Sequence, residues 1–267
     1  MKGRLVLKFG TDSLIGASGD LCQSNFDDIA RQISALISQG WEVLVVSSGA
    51  GKAGRSQILR MRRTIETVSD RSQTTVGQYI LMTMWQTGFD LFGHLAGQIL
   101  VSHADLQARK EGNSIDELSA RLEMASSEGI IPIINENDAI SSFGIDEANR
   151  KRENDVLTSD ICGIYKPNKV MIITSVGGVF ETDPRRDPSA RMYRELDSAN
   201  LPEAVLLSQN KSPNGSGGIA SKAEIAAEMH MNGIATCIAH FRSNGILRFA
   251  HGESLGTLLG SQSRLVE

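Results

Sequence analysis

An α/β fold, with a mainly parallel sheet covered by helices on both faces, is predicted by three features of this sequence. Residues 5–9, 43–46, 98–101, 130–134, 170–173 and 234–238 are short apolar or β-branched runs, the pattern of strands buried on both faces. Stretches with helical signals separate them, and such alternation implies parallel strands joined by helical crossovers. Polar or glycine-rich segments follow several strands directly, where open α/β sheets place their ligands.

Each element has its own warrant. The strand at 5–9 ends in Lys8-Phe9-Gly10-Thr11-Asp12-Ser13, a lysine followed by a turn with two hydroxyls. Phe26, Ile29, Ile33, Leu36 and Ile37 then give a helix one apolar face, closed by Gly40. Ser47-Ser48-Gly49-Ala50-Gly51-Lys52-Ala53-Gly54 follows the second strand, and residues 55–73, with Arg60, Arg62 and Arg63, read as a solvated loop and helix, with an assembly surface as the alternative. Ser114 and Glu117 have capping-box spacing ahead of a helix with Leu118, Leu122 and Ala125 inward. The strand at 130–134 runs into Asn135-Glu136-Asn137-Asp138, more polar side chains than one helix cap needs. The strand at 170–173 ends in Thr174-Ser175-Val176-Gly177-Gly178, and Thr182-Asp183-Pro184-Arg185 beyond it describes a loop folded over the strand tips. Gly215-Ser216-Gly217-Gly218 opens a helix whose inner face is Ile219, Ala223, Ala226 and Ala227.

Composition narrows the function. With 27 basic and 31 acidic residues and a net charge of −4, nothing points to nucleic acid or an anionic membrane surface, so a small-molecule partner is expected. Cys22, Cys162 and Cys237 are far apart and lack CxxC spacing, which argues against a disulfide framework or a zinc site and fits a reducing cytosol. Leu5-Val6-Leu7 is too short for a signal peptide's apolar region, and no run approaches membrane-spanning length. A single domain over residues 1–267 is expected.

The glycine segments suggest anion chemistry. Lys8 beside a glycine turn, and Lys222 in the first turns of a glycine-opened helix, each combine an ammonium with exposed backbone N–H groups, and a triphosphate is the natural ligand of the second. Residues 49–54 contain G-x-G-x-x-G, but no apolar strand follows to carry the acidic residue of a dinucleotide fold, so a tight turn meeting a carboxylate or phosphate is the better reading. No G-x-x-x-x-G-K-[ST] occurs, which excludes a P-loop. His94, His103, His230, His240 and His251 are scattered and read as structural.

In sequence order, KFGTDS, VVSSGAGKAG, IINENDAI, ENDVLTSD, ITSVGGVFETDPRRDPSA and GSGGIASKAEIA resemble the motifs of the glutamate 5-kinases of the amino acid kinase superfamily, from Lys8 to about Leu259. Val76-Gly77-Gln78 and Ala104-Asp105-Leu106 also look like family segments. The resemblance implies a three-layer αβα sandwich and ATP- and Mg²⁺-dependent phosphorylation of the L-glutamate side-chain carboxylate, the first step of proline biosynthesis. Many members add a carboxy-terminal PUA domain, for which a chain ending at Glu267 leaves no room. By similarity, Lys8 and Lys222 are catalytic, and Ser48, Gly49, Ala50, Asp138 and Asn154 contact the amino acid. Lys8, Thr174, Ser175, Ser216, Gly217, Gly218, Ile219, Ala220, Ser221 and Lys222 match the nucleotide site, and no protein metal ligand is expected. Proline as feedback inhibitor, a homo-oligomer and hand-off to glutamyl phosphate reductase are the implied partners.

The family usually has Asp where Ser175 stands and Asp-Asn-Asp where this chain has Glu153-Asn154-Asp155. Sibling kinases act on carbamate, aspartate, acetylglutamate, uridylate or isopentenyl phosphate, and a non-catalytic glutamate or proline sensor is the alternative from another class. Residues 141–153 hold few large apolar side chains and are expected to form a mobile loop between the two substrate motifs.

Overall fold

The computed structural model describes residues 2–62, 64–102, 106, 115–138, 153–207, 218–262 and 264–265. Six strands fall where the apolar runs predict them: β1 (Gly3–Phe9), β2 (Trp41–Ser47), β3 (Leu95–Val101), β4 (Ile130–Glu136), β5 (Lys169–Ile173) and β7 (Ala235–Ala239). Three more, β6 (Tyr193–Asp197), β8 (Thr257–Gly260) and β9 (Arg264–Leu265), extend one edge. They lack a continuous apolar run. Tyr193-Arg194-Glu195-Leu196-Asp197 is mostly charged, and the other two are short.

The strands form one nine-stranded sheet in the order β3-β4-β2-β1-β5-β7-β8-β6-β9. All pairings from β3 to β7 are parallel, whereas β7 pairs antiparallel with β8, and β6 with β9. Alternate side chains enter two separate cores, as the two-residue strand period requires. Leu5, Leu7, Phe9, Val43, Val45, Met171 and Ile173 face α2 (Gln23–Ser38), α4 (Asp70–Asp90) and α9 (Gly245–Ala250). Val6, Leu44, Val46, Val170, Ile172 and Ile238 face α5 (Ile115–Ser127), α6 (Glu153–Tyr165) and α8 (Ile219–Met231). The remaining described helices, α1 (Thr11–Leu14), α3 (Ala50–Arg62) and α7 (Glu203–Leu206), complete a three-layer αβα arrangement. None of the described helices is long and apolar enough to cross a membrane.

The polar stretch at 55–73 carries the end of α3 and the start of α4, and glycine decides how they pack. A Cβ on Gly54 would lie 1.7 Å from the Gln73 carbonyl oxygen, and one on Gly77 would lie 1.7 Å from that of Ala50. The two backbones therefore touch. Gly54 of the G-x-G-x-x-G string serves this contact, and a second helix follows where a dinucleotide fold would need a strand. Ser114 of the capping box, Ala104 and Asp105 lie outside the described residues, as do residues 141–152 of the expected mobile loop.

Gly77→Ala should therefore lower the unfolding free energy by about 3 kcal/mol, since backbone rather than a flexible side chain must give way. Gly163 in α6 has nothing within 4 Å of its added Cβ, so Gly163→Ala should raise stability by roughly 0.5–1 kcal/mol. Urea unfolding of both variants checks the contrast.

Candidate active site

The carboxyl ends of the central strands are laced together before any side chain acts. Ser48 N–H donates to the Phe9 carbonyl at 3.1 Å, Gly10 N–H to Ile173 at 3.4 Å and Thr174 N–H to Ala239 at 2.9 Å. From behind, the buried Trp85 indole of α4 donates to Ser47 Oγ at 2.9 Å, inside an aromatic cluster with Phe9, Phe26 and Phe89. The turn after β2 has Gly49 at φ 117°, which an L side chain rarely adopts, and this lets α3 start at once at Ala50.

One carboxylate organises the centre. Asp155, in the first turn of α6, is buried between Lys8 of β1 and Lys222 of α8. Lys8 Nζ donates to its Oδ1, Ser221 Oγ donates to its Oδ2 at 3.0 Å, and Lys222 Nζ lies 3.6 Å from the same oxygen. Burial alone would push the Asp155 carboxyl up, but the charges of Lys8 and Lys222, with the hydrogen bonds from Lys8 and Ser221, hold it at about 2. Burial lowers the Lys222 ammonium to about 8, helped by Lys8 and opposed by Asp155 and Asp12. The expected lysines are thus brought together by a residue that was not singled out. Its signal was available: two buried ammonium groups need a counter-charge, and Asp155 follows Asn154 within the same motif.

Two of the positions expected to contact the amino acid, Ser48 and Asn154, meet beside this cluster. Asn154 Nδ2 donates to Ser48 Oγ at 2.9 Å, joining the β2 turn to α6. On the neighbouring strand Asn135 Nδ2 donates to Gln78 Oε1 of α4 at 2.8 Å. The buried carbonyl oxygens Asn135 Oδ1 and Asn154 Oδ1 have no hydrogen-bond partner among the described residues, so both can accept from a ligand. Asp138, just past β4, is raised to about 6 by burial and then by Glu136, with Arg71 partly opposing. Asn135 lies in the polar segment that the sequence marks after β4 and Gln78 in the Val76-Gly77-Gln78 segment, but their contact joins residues 57 apart and has no local signal.

At the positions expected to hold the nucleotide, α8 starts after Gly218 with no side-chain cap, so Ile219, Ala220 and Ser221 open a helix beside Lys222. Thr174 Oγ1 accepts from Gly177 N–H at 3.1 Å and holds the turn after β5, whereas Ser175 is exposed. Ser216 and Gly217 lie outside the described residues.

This geometry can be set against known proteins. The sequence model of the amino acid kinase family matches residues 3–240. The chain belongs to the amino acid kinase family. Within that family it groups with the glutamate 5-kinases. The enzyme of that name from Pasteurella multocida is 31% identical over 265 residues, 98% of this chain and 70% of the relative. The one from Thermus thermophilus is 34% identical over 264 residues, 98% and 68% respectively, and that from Shewanella amazonensis 32% over 256 residues, 95% and 65%. The chain thus spans about two thirds of these relatives' length. The UMP kinase of Bacillus anthracis shares the amino acid kinase fold with a TM-score of 0.64, 16% identity and coverage of 99% of this chain and 98% of that one.

Asp155→Asn should cost about 3–5 kcal/mol at neutral pH, because it leaves two buried ammonium groups facing each other. The native carboxyl sits below its unfolded value of about 3.9, so its contribution is present above about pH 4 and is lost as pH falls through about 2. Denaturant unfolding of both proteins between pH 2 and pH 7 should show the difference only at the upper end.

Proposed function

We propose that the chain transfers the γ-phosphoryl group of ATP to the side-chain carboxylate of L-glutamate, giving glutamyl 5-phosphate for proline biosynthesis. The observation that carries this reading is the pair of buried lysines sharing the single carboxylate of Asp155 next to the Ser48–Asn154 pair. Two ammonium groups beside the uncapped amino terminus of α8 suit a polyanion, with Asp155 and Asp12 as their counter-charges. The amino-acid groups lie on the flank of this cluster.

In this reading the amino terminus of α8 and Lys222 hold the terminal phosphates, and Lys8 lies on the side nearer the acceptor. A glutamate carboxylate oxygen attacks the γ-phosphorus in line, the bond to the β,γ-bridging oxygen breaks, and ADP leaves with that electron pair. No general base is required, because the nucleophile is already ionised. The ammonium of the acceptor is taken by Asp138 and the orphaned oxygens of Asn135 and Asn154, and backbone N–H groups at Gly49 and Ala50 meet its carboxylate end. Among the described residues the Asp155 carboxylate is committed to both lysines, so Mg²⁺ fits as a cation carried on the nucleotide phosphates, which neutralises their charge. Proline, which shares the ammonium and carboxylate of glutamate, would compete for the same groups. A homo-oligomer, a cytosolic location and hand-off of the labile acyl phosphate to a reductase belong to the same proposal, and so does the single-domain organisation.

The test is incubation with ATP, Mg²⁺ and a panel of amino acids, with hydroxylamine to trap acyl phosphate and ADP as the second readout. L-Glutamate should give both products. Hydroxamate from another acceptor, with none from glutamate, would overturn the substrate while leaving the family intact. Lys222→Ala or Lys8→Ala should lower kcat by roughly 10²–10³ without loss of the fold.

Acid should weaken acceptor recognition selectively. Asp138 must be ionised to hold an ammonium, and it protonates as pH falls through about 6. The profile of kcat/KM for glutamate should therefore fall on the acid side of that value, while KM for ATP stays flat across it. Parallel loss of both constants would remove Asp138 from the acceptor site.

A further inference from the structure

We propose that Gln78 of α4 is a positioning residue for acceptor binding: it turns the Asn135 amide so that the carbonyl oxygen of that amide faces the acceptor's ammonium. The inference deepens the kinase reading above and rests on it. Its basis is a pair of hydrogen bonds between α4 and two adjacent strand tips. Val46 of β2 pairs with Ile134 of β4, so Ser47 and Asn135 are the next residues on the two strands. Both continue rows of buried side chains, Val43 and Val45 on β2 and Ile131 and Ile133 on β4, that enter the core on the α4 side, as the two-residue strand period requires. Helix α4 meets them at this level: Trp85 Nε1 donates to Ser47 Oγ at 2.9 Å, and Asn135 Nδ2 donates to Gln78 Oε1 at 2.8 Å. Gln78 and Trp85 are seven residues apart in one uninterrupted helix, hence on nearly the same face. Gly77, next to Gln78, packs against the Ala50 carbonyl and fixes how deeply the helix sits.

Asn135 is only 3% exposed, and its Oδ1 has no hydrogen-bond partner among the described residues. A buried carbonyl left in that state is unfavourable unless something outside the chain donates to it. The two ends of a carboxamide have nearly the same shape but opposite roles, so hydrogen bonding decides which end faces where. Gln78 settles the choice: its Oε1 can only accept, which takes the Nδ2 end and leaves Oδ1 for a donor. An ammonium is such a donor, and it would meet an NH₂ group instead if the amide turned over. The same device recurs past the tip of β2, where Ser48 Oγ takes Asn154 Nδ2 and leaves Asn154 Oδ1 equally without a partner among the described residues. Two carbonyl oxygens whose amide nitrogens are tied back, with the Asp138 carboxylate close to one of them in sequence, suit a primary ammonium with three hydrogens to place.

Gln78 is half-buried, so its side chain can be exchanged without opening the core. Initial rates are compared for the native chain, Gln78→Leu, Gln78→Glu, Asn135→Ala and the double variant Gln78→Leu with Asn135→Ala, varying L-glutamate and ATP separately. Gln78→Leu should raise KM for glutamate roughly 10-fold, as loss of one orienting hydrogen bond implies, with kcat and KM for ATP near native. Gln78→Glu still accepts from Asn135 Nδ2 but has no side-chain N–H to give, and it should keep KM for glutamate at or below the native value. On the Asn135→Ala background Gln78→Leu should change nothing further, because the amide through which it acts is gone. An unchanged KM for glutamate in Gln78→Leu, equal losses on both backgrounds, a parallel rise in KM for ATP, or a Gln78→Glu variant as impaired as Gln78→Leu would each overturn the inference while the kinase reading stands. The comparison of Gln78→Leu with Gln78→Glu decides even where Asn135→Ala does not fold. A native chain that turns over no glutamate would overturn the kinase reading and this inference with it.

Discussion

The structure depends on one buried ionic contact, the carboxylate of Asp155 between the ammonium groups of Lys8 and Lys222. Taking three charges out of water is unfavourable unless each finds its partner, so the contact dictates where three elements lie. Lys8 comes from the central strand, Asp155 from the start of α6, and Lys222 with Ser221 from the start of α8. Both helices begin at the same end of the sheet, and their amino termini add partial positive charge there. Two ammonium groups and two helix amino termini thus converge at one point, with Asp155 and Asp12 as counter-charges. Stability and chemistry therefore draw on the same atoms: the ion pair that joins β1 to α6 also fixes how far apart the two lysines stand.

The Asn135 side of the proposed site is built by a different physical device. Where α3 and α4 cross, Gly54 and Gly77 let the backbones meet. Close approach puts Gln78 of α4 within reach of Asn135 at the tip of β4, while Trp85 on the same helix anchors Ser47 at the tip of β2. A rigid helix thus reports to two adjacent strand tips at once. Removing a methyl-sized clearance at Gly77 would separate Asn135 from its partner without touching any residue of the phosphate side.

Much of this was legible in the sequence, for reasons that also mark the limit. Strands β1, β2, β4, β5 and β7 are interior and apolar on both faces, so composition alone reveals them, whereas β3 is a partly exposed edge strand that its 98–101 run still marks. Strand β6 escaped because it offers only Tyr193 and Leu196 to the core. Lys8 and Lys222 could be chosen because a lysine beside glycines at a strand or helix end has few structural uses. Asp155 was passed over because an acidic residue in a first helical turn has an ordinary explanation in the helix dipole. Gln78 stands in a segment that only the resemblance marks: its contact with Asn135 depends on how Gly77 seats α4, which nothing local in the sequence shows.

The departure at Ser175 can be weighed in the same terms. A change from the family's usual aspartate would matter structurally if that side chain held the turn after β5. It does not: the turn is held by Thr174 Oγ1 accepting from Gly177 N–H, and Val179 N–H is satisfied by Thr257 Oγ1 at 2.8 Å. Gly177 supplies the positive φ of 79° that the turn requires. Ser175 points outward from this scaffold and is exposed. The loop's shape is therefore independent of the residue at 175, and whatever that position contributes must come from direct contact with a bound molecule. A hydroxyl there can still donate or accept one hydrogen bond, but it brings no charge, so the loss falls on ligand selectivity and leaves the fold and the lysine centre as they are.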